Sequence, residues 1–352
     1  MSFFKKAMLG IDLGTRTLKG VQLCKGSNGK ISLKNYFFQD LAQVSKEYPG
    51  TCNREEVLKA SLETHDLIHS STASAVKDVD VITFNLELPV MSEKEYEQVV
   101  PLEVGEQAQL NMEEHSCDYV VYPNFVKAHC VKKSVVLEQM KILQEAGLKP
   151  GLIESEMMAI HAMLEFNDYL ETNEVTVVFD LGDTHVNSGL ISVGVLSLTR
   201  SQGVSFGRAN VQLKDQCYVS FDEAETIKQK YDYILGPVTE KNEMASILDD
   251  AFTEVFKAIK TDLEYYHECS ESMGRIDRVL LVGGGSQIKS AVKVIEDFLK
   301  VPAIVVNPFR NIDIFSNLVA SEEIATLAPY MATAVGLALA SFTKFEKSGK
   351  AA

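Results

Sequence analysis

The sequence has no tryptophan, few basic residues relative to acidic ones, and no long apolar run. It holds 34 Lys and Arg against 49 Asp and Glu, for a formal net charge of -15. Nucleic-acid-binding proteins need a basic face for phosphate contacts, so this balance argues against nucleic acid as a partner. No apolar run approaches the ~20 residues that span a bilayer, and the first charged residues are not followed by the apolar segment of a secretory signal.

Cysteines are few and widely spaced in this chain of 352 residues. The six positions form no CxxC pair and no dense framework: Cys24, Cys52, Cys117, Cys130, Cys217 and Cys269. Such spacing favours reduced thiols in a reducing compartment. We therefore expect a cytoplasmic protein, which would reach a membrane only through a partner. The length of 352 residues predicts two domains.

One short pattern occurs twice, about half a chain apart. Residues 10–15 read GIDLGT and residues 179–184 read FDLGDT, each at the end of an apolar strand. In both copies an Asp-x-Gly turn leads into a second apolar segment, at 18–23 and at 188–198, as in a hairpin. The repetition predicts two related lobes that face each other.

Both turns have the composition of phosphate-binding loops, in which backbone N–H groups converge and no side chain blocks the approach. Lys19 can direct a cation toward phosphates bound at the first turn. Magnesium prefers oxygen ligands and keeps most of its waters, so Asp12 and Asp180 are the candidate ligands. Either turn alone is more often an ordinary hairpin turn than a nucleotide site.

A third element is the segment 280–287, LLVGGGSQ, in which a strand runs into three glycines that open a helix. Three glycines allow a flat ring and its ribose to lie against the backbone, close to a helix N-terminus. The spacing differs from the Rossmann G-x-G-x-x-G, and no P-loop motif occurs in the chain.

The three elements, in this order, resemble the phosphate-1, phosphate-2 and adenosine motifs of the actin/Hsp70/hexokinase ATPase superfamily. Segments 153–160 and 331–338 resemble its two connecting helices, the second rich in small residues that allow close crossing. The resemblance implies an α/β, actin-like (ribonuclease H-like) fold with two lobes and Mg-ATP bound between them.

Within the superfamily the chain resembles the PilM family, an FtsA-like branch. The matching segments are 3–7 followed by 10–14, 88–95, 106–107, 118–119, 146–159, 223–228, 307–309 and 334–339. The resemblance implies an inserted subdomain of the FtsA/PilM type. The implied parts are a first lobe (1–88, 150–170, 322–352), the inserted subdomain (89–149), a second lobe (171–207, 275–321) and a helical subdomain (208–274).

The resemblance also assigns roles to individual residues. Asp12 and Asp180 would hold hydrated Mg²⁺. The residues that would contact the nucleotide are Gly14, Thr15, Thr17, Lys19, Gly182, Asp183 and Thr184 at the phosphates, and Glu225, Lys228, Gly283, Gly284, Gly285 and Ser286 at the adenosine. Glu156 lies where relatives place a residue that orients an attacking water, although a carboxylate on a helix face is more often an ion-pair partner.

Two departures from the family pattern concern hydrolysis more than binding. Asp183 stands where the family usually has Gly, Ala or Ser, and its charge would weaken triphosphate binding unless a metal or Lys19 neutralises it. Asp183 would otherwise simply cap a turn. The segment 203–208, GVSFGR, lacks the Gly-Gly pair that the family has after the second hairpin.

The resemblance implies an adaptor of type IV pilus biogenesis, at most a slow ATPase. It would take the cytoplasmic N-terminal peptide of a PilN-like inner-membrane protein in a groove between the first lobe and the inserted subdomain. Pilus motor ATPases and a second copy of the chain are further expected partners. The alternatives are a small-molecule kinase, for which no clear general base is seen, and an FtsA-like filament protein, whose C-terminal amphipathic helix has no counterpart in 348–352.

Overall fold

The computed structural model of the chain describes residues 4–47, 53–67, 71–233, 242–269, 275–315 and 321–348. In chain order the strands are β1 (Phe4–Leu13), β2 (Thr17–Gly26), β3 (Ile31–Asp40), β4 (Ser71–Val76), β5 (Val81–Leu86), β6 (His115–Val121), β7 (Val126–Lys132), β8 (Lys149–Ser155), β9 (Val175–Leu181), β10 (Val186–Ser192), β11 (Val195–Gln202), β12 (Arg278–Val282) and β13 (Ala303–Val305). The helices are α1 (Leu41–Glu47), α2 (Arg54–Thr64), α3 (Glu93–Ala108), α4 (Lys133–Glu145), α5 (Glu156–Phe166), α6 (Gly207–Cys217), α7 (Phe221–Lys230), α8 (Glu243–Cys269), α9 (Ala291–Leu299), α10 (Ser321–Leu327) and α11 (Ala332–Ser348).

Two five-stranded sheets of the same topology form the two lobes. The first has the order β3-β2-β1-β4-β8 and the second the order β11-β10-β9-β12-β13. In each sheet the central strand, β1 or β9, pairs antiparallel with the next strand in the chain and parallel with a later one. The two related lobes predicted from the repeated turn are therefore confirmed as a pair of α/β sheets of the same topology.

The predicted second strand of the second hairpin, 188–198, is wrong in one respect. It is two strands, β10 and β11, joined by a tight turn at Val193 and Gly194 with φ of 54° and 74°. Two successive residues with positive φ match the twist of a two-residue hairpin, so the chain reverses there instead of continuing.

A three-stranded sheet of order β5-β7-β6 forms a separate small subdomain with α3, whereas α4 packs on the first lobe, where Leu143 shares a core with Leu9. The predicted first lobe extends to residue 88, but β5 belongs to the small sheet, where Leu86 lies opposite Val126. The physical reason is that Phe84 and Leu86 pack into the apolar core under α3, together with Val100. The other predicted boundaries stay predictions.

Helices α5 and α11 cross at contact distance between the lobes. A Cβ placed on Gly336 of α11 would lie 1.8 Å from the carbonyl oxygen of Ala159, and one placed on Gly10 of β1 would lie 2.0 Å from that of Ala334. Glycine at both positions lets α11 lie directly on β1 and α5. These distances agree with the close crossing through small residues that was predicted for segment 331–338.

One stretch of the described chain has the length and composition of a membrane span, contrary to the expectation that no apolar run approaches that length. Residues Glu322–Phe342 reach a mean hydropathy of 1.5, and 67% of the apolar window is buried inside the protein. A buried core helix passes the same test, so this stretch is weak evidence for a span.

Candidate functional site

The two Asp-headed turns and the triple-glycine strand end line a single cavity of about 390 Å³. The cavity lies at the carboxyl ends of β1, β9 and β12, so both large sheets contribute to it. All the predicted site residues line the cavity except Ser286. The hydroxyl of Ser286 donates instead to the carbonyl of Gly283, at 2.7 Å, and so holds the glycine turn from behind.

The first turn is organised by an ion pair between neighbouring strands. Asp12 on β1 and Lys19 on β2 are cross-strand partners, and Lys19 Nζ donates to Asp12 Oδ2 at 2.6 Å. Both side chains are buried at the cavity wall. A Cβ on Gly14 would lie 2.7 Å from the carbonyl oxygen of Thr17, so only glycine allows this tight turn.

The second turn contacts the first across the cleft. The hydroxyl oxygens of Thr184 and Thr15 lie 3.3 Å apart, one from each lobe. Asp180 lies at the end of β9, where burial raises its pKa to about 6. The nearby Asp12 carboxylate adds to that rise, while Lys19 opposes it. The two predicted metal ligands therefore repel each other, which a bound cation would offset.

Other parts of the site lie very close to the backbone of the triple glycine. Gly283 has a φ of 81°, and its Cβ would lie 2.3 Å from Asp180 Oδ1. A Cβ on Gly284 would lie 2.7 Å from the ring of Tyr330, and one on Gly285 would lie 2.7 Å from Leu181. Side chains are thus excluded from this wall, and backbone forms it.

Glu225 on α7 is the centre of a charged cluster that lines the same cavity. Its Oε2 accepts from Lys228 Nζ at 2.7 Å, from Asn210 Nδ2 at 2.6 Å and from Arg16 Nη1 at 2.8 Å. Burial raises the pKa of Glu225, but the two cations and Asn210 outweigh it, so that the pKa is lowered. Arg16 also donates to Asp40 Oδ2 at 2.9 Å.

The cations that act on Asp183 are Lys228 and Arg16, whereas the expected one was Lys19. Burial raises its pKa, while Lys228 and Arg16 lower it. Its backbone carbonyl accepts a hydrogen bond from Ser205, and a Cβ on Gly207 would lie 2.2 Å from the same oxygen. The segment 203–208 therefore packs directly beneath this turn, with one glycine at the close contact.

Glu156 lies at the first turn of α5 in a largely acidic environment. Its Oε2 accepts from Asn187 Nδ2 at 3.0 Å and from the backbone N–H of Asp78 at 3.5 Å. Burial, followed by the charges of Asp78, Asp12 and Asp180, raises the pKa of Glu156 well above its usual value. The raised pKa disfavours the ionised form of this carboxyl, and a cation held by Asp12 and Asp180 would offset part of that rise.

Sequence patterns missed several side chains that the fold brings to the site. They are Arg16, Asp40, Asp78, Asn187, Asn210 and Tyr330. Arg16 lies inside the predicted first turn and could have been found as a cation next to the phosphates. Asn187 follows the second turn by three residues, and Tyr330 directly precedes segment 331–338. Asp40, Asp78 and Asn210 lie outside the three nucleotide motifs, and only the folded chain brings them to the site.

Among the residues that the structure describes, no group of three or more His, Cys, Asp or Glu side chains has the geometry of a metal cage. Magnesium is usually held by one or two carboxylates and keeps several waters. Asp12 and Asp180 fit that type of site.

A family model described as type IV pilus assembly protein PilM matches residues 10–342. The chain belongs to this family. Its role is accordingly in type IV pilus assembly, as an actin-like protein of that family.

Solved structures share the fold at low sequence identity. The structure titled PilM-PilN type IV pilus biogenesis complex is 20% identical, with a TM-score of 0.76, covering 94% of this chain and 97% of that one. The ethanolamine utilization protein EutJ from Carboxydothermus hydrogenoformans is 15% identical, with a TM-score of 0.50 and coverages of 95% and 89%. MreB 5 of Spiroplasma citri, bound to AMPPNP, is 12% identical, with a TM-score of 0.50 and coverages of 98% and 99%.

Proposed function

We propose that the chain is a nucleotide-binding adaptor of type IV pilus assembly, which holds Mg-ATP between its lobes. The observation that carries the proposal is the convergence of three elements on one cavity of about 390 Å³. These elements are the turn after β1, the turn after β9 and the triple glycine after β12. Because they belong to both lobes, a ligand that contacts all three favours the closed arrangement.

The donor groups of the cavity suit a nucleotide with a divalent cation. Lys19, Thr15 and Thr17 would bind phosphate oxygens from the first lobe, and Gly182 and Thr184 would bind them from the second. Asp12 and Asp180 would hold Mg²⁺ through its waters. Lys19 would then exchange part of its pairing with Asp12 for phosphate.

Helix α7 and the triple glycine suit the nucleoside. Glu225 and Lys228 would meet the ribose or the adenine edge, and the backbone of Gly283, Gly284 and Gly285 would support the ring. Near the phosphates, Lys228 and Arg16 would offset part of the charge of Asp183, whose pKa burial raises overall.

Bound ATP would supply a transferable phosphoryl group, but the adaptor role does not need turnover. Glu156 is held by Asn187 and by the backbone of Asp78. Burial and the charges of Asp78, Asp12 and Asp180 raise its pKa, which disfavours the ionised form that a base needs. We propose slow hydrolysis at most.

The proposed partner is the cytoplasmic N-terminal peptide of a PilN-like inner-membrane protein. Support comes from the family and from the related PilM-PilN complex. The peptide would lie in a groove between the first lobe and the inserted subdomain, and binding would recruit a cytoplasmic protein to the inner membrane. Pilus motor ATPases and further copies of the chain are additional proposed partners.

Calorimetric titration of Mg-ATP tests the nucleotide site. We expect the Asp12→Asn and Asp180→Asn variants to lose at least tenfold in affinity, corresponding to about 1.4 kcal/mol. Asp215→Asn, an exposed change on α6, is the matched control and should bind like the wild type. Absence of ATP and ADP binding by the wild type would refute the site.

A fluorescence titration with a labelled PilN-like N-terminal peptide tests the adaptor role separately. We expect binding whose affinity differs with and without Mg-ATP, because the nucleotide biases lobe closure. A folded protein that binds Mg-ATP but not the peptide would keep the nucleotide site and reject the adaptor.

A further inference from the structure

The inserted subdomain carries two cysteines in direct cross-strand register. Cys117 on β6 and Cys130 on β7 are partners in the antiparallel ladder. Directly opposed residues in such a pair have Cα atoms about 4.5 or 5.5 Å apart. Both separations fall within the range of about 4.4–6.8 Å that a disulfide requires.

The two side chains share one face of the small sheet. Cys130 is buried in the core beneath α3, and the half-buried Cys117 packs against the same core. Residues directly opposite each other in an antiparallel pair project from the same face, so the two thiols are neighbours on that face. The sulfurs can therefore meet without a change of strand register.

The environments of the two thiols differ in a way that orders their reactivity. The hydrogen bond from Cys130 lowers the pKa of Cys117. That same bond, together with burial, raises the pKa of Cys130. Since the thiolate is the nucleophile and Cys117 is also the more exposed of the two, Cys117 reacts first with a small reagent.

We propose that Cys117 and Cys130 are a modification site, which a small peroxide converts into an intramolecular disulfide. Cys117 loses its proton, its sulfur attacks one peroxide oxygen, and the O–O bond breaks. The hydroxide that leaves takes up that proton, so a sulfenic acid and a water form. The sulfur of Cys130 then loses its proton and attacks the sulfur of Cys117. The S–O bond breaks, and the released hydroxide takes up that proton as water. In total, two thiols and one hydrogen peroxide give one disulfide and two waters.

The bond would tie an edge strand to the centre of its sheet. The sheet has the order β5-β7-β6, so β6 pairs on one side only. Thiols of a reducing compartment reverse the reaction by exchange. The site therefore responds to oxidant in the cytoplasm without needing an oxidising compartment.

The test uses the full-length protein and hydrogen peroxide. Trypsin cleaves after Lys127, so the expected disulfide joins peptide 95–127 to peptide 128–132. We expect two of the six thiols to disappear, this linked peptide to appear in non-reducing mass spectrometry, and dithiothreitol to reverse both changes.

Two variants sharpen the test. Cys117→Ser should form no linked peptide, whereas Cys217→Ser, at a half-buried thiol on α6, should form it as the wild type does. If Cys117→Ser folds poorly, the non-reducing peptide map of the oxidised wild type still tests the proposal. Oxidation of Cys117 to sulfinic acid with Cys130 still a thiol would overturn the proposal. So would a disulfide to another cysteine or between two molecules.

Discussion

Lys19 is the side chain that tests the proposed nucleotide site most directly. It is paired with Asp12 at 2.6 Å and lies near Asp180, whose pKa it lowers. Replacement with Met keeps the aliphatic stem and removes the charge. We expect Lys19→Met to weaken Mg-ATP binding by tenfold or more, about 1.4 kcal/mol or more in calorimetry.

The exposed Lys30, in the turn after β2, gives the matched control. Lys30→Met removes the same charge from the chain without touching the cavity. If both variants lose affinity equally, the effect of Lys19 is one of overall charge, and its contact with the phosphates is refuted.

Asp78 gives a pH-dependent prediction. Burial is the main cause that raises its pKa to about 7, against an ordinary value of 3.8. A raised folded-state pKa means that the folded protein holds the proton more tightly. The free energy of unfolding therefore falls as the pH rises from about 4 to about 7, and the cost is complete above pH 7.

Asp78→Asn removes that cost while its oxygen still accepts from the N–H of Met157, which lies 2.8 Å from Asp78 Oδ2. We expect the variant to be more stable than the wild type by about 1–3 kcal/mol at pH 8 and equal to it near pH 4. Urea denaturation with EDTA at both pH values measures the difference. Asp80→Asn, an exposed change on the same turn, should show none. A pH-independent difference at Asp78 would contradict the prediction.

At the scale of elements, the elements that the sequence predicted were those with a regular apolar pattern or a run of glycines. The β1–β2 hairpin, the strand before the triple glycine and the long α8 all have regular apolar patterns. The strand β4, Ser71–Val76, has none, because its small side chains lie between two parallel neighbours, β1 and β8. Its Ser74 hydroxyl donates to the carbonyl of Ile11, a contact that no local pattern predicts.

The crossing of α5 and α11 gives a prediction for an element pair. Gly336→Ala would place a Cβ 1.8 Å from the carbonyl oxygen of Ala159, so the helices must separate. We expect a loss of about 3 kcal/mol in the free energy of unfolding, since overpacking a tight contact has costs of that order. Urea denaturation measures it.

Gly203→Ala is the control for the crossing, because a Cβ there has nothing within 4 Å and the φ is not positive. It should change the free energy of unfolding by less than about 0.5 kcal/mol. Equal losses in the two variants would mean that the crossing is not the cause.

At the scale of the molecule, the repeated Asp-x-Gly turn was enough to predict two facing lobes. Each copy follows the central strand of a sheet, and the two sheets have the same strand order. The position of β5 was not predictable, since its alternating apolar pattern fits either sheet. The core under α3 decides it, and the side chains of that core come from 84–130.

One ion pair links the lobes at the mouth of the cavity. Arg16, in the first turn, donates to Glu225 of α7 at 2.8 Å, and the two side chains are 15% and 20% exposed. Arg16→Ala leaves Asp40 and Glu225 without this shared cation. We expect the protein without nucleotide to become more open, because a pair worth about 1–2 kcal/mol shifts an open–closed equilibrium by about 5–30-fold.

Small-angle X-ray scattering of the wild type and the variant measures this as a larger radius of gyration without nucleotide. Arg208→Ala is the matched control: it removes the same charge and an ion pair with Glu254, but 59% and 42% of those side chains are exposed and both lie on one lobe. Its radius should equal that of the wild type. Mg-ATP should close the Arg16 variant again, because the proposed ligand contacts both lobes without Arg16. An unchanged radius for Arg16→Ala would show that turn-to-turn contact, such as that between Thr15 and Thr184, is sufficient to hold the cleft closed.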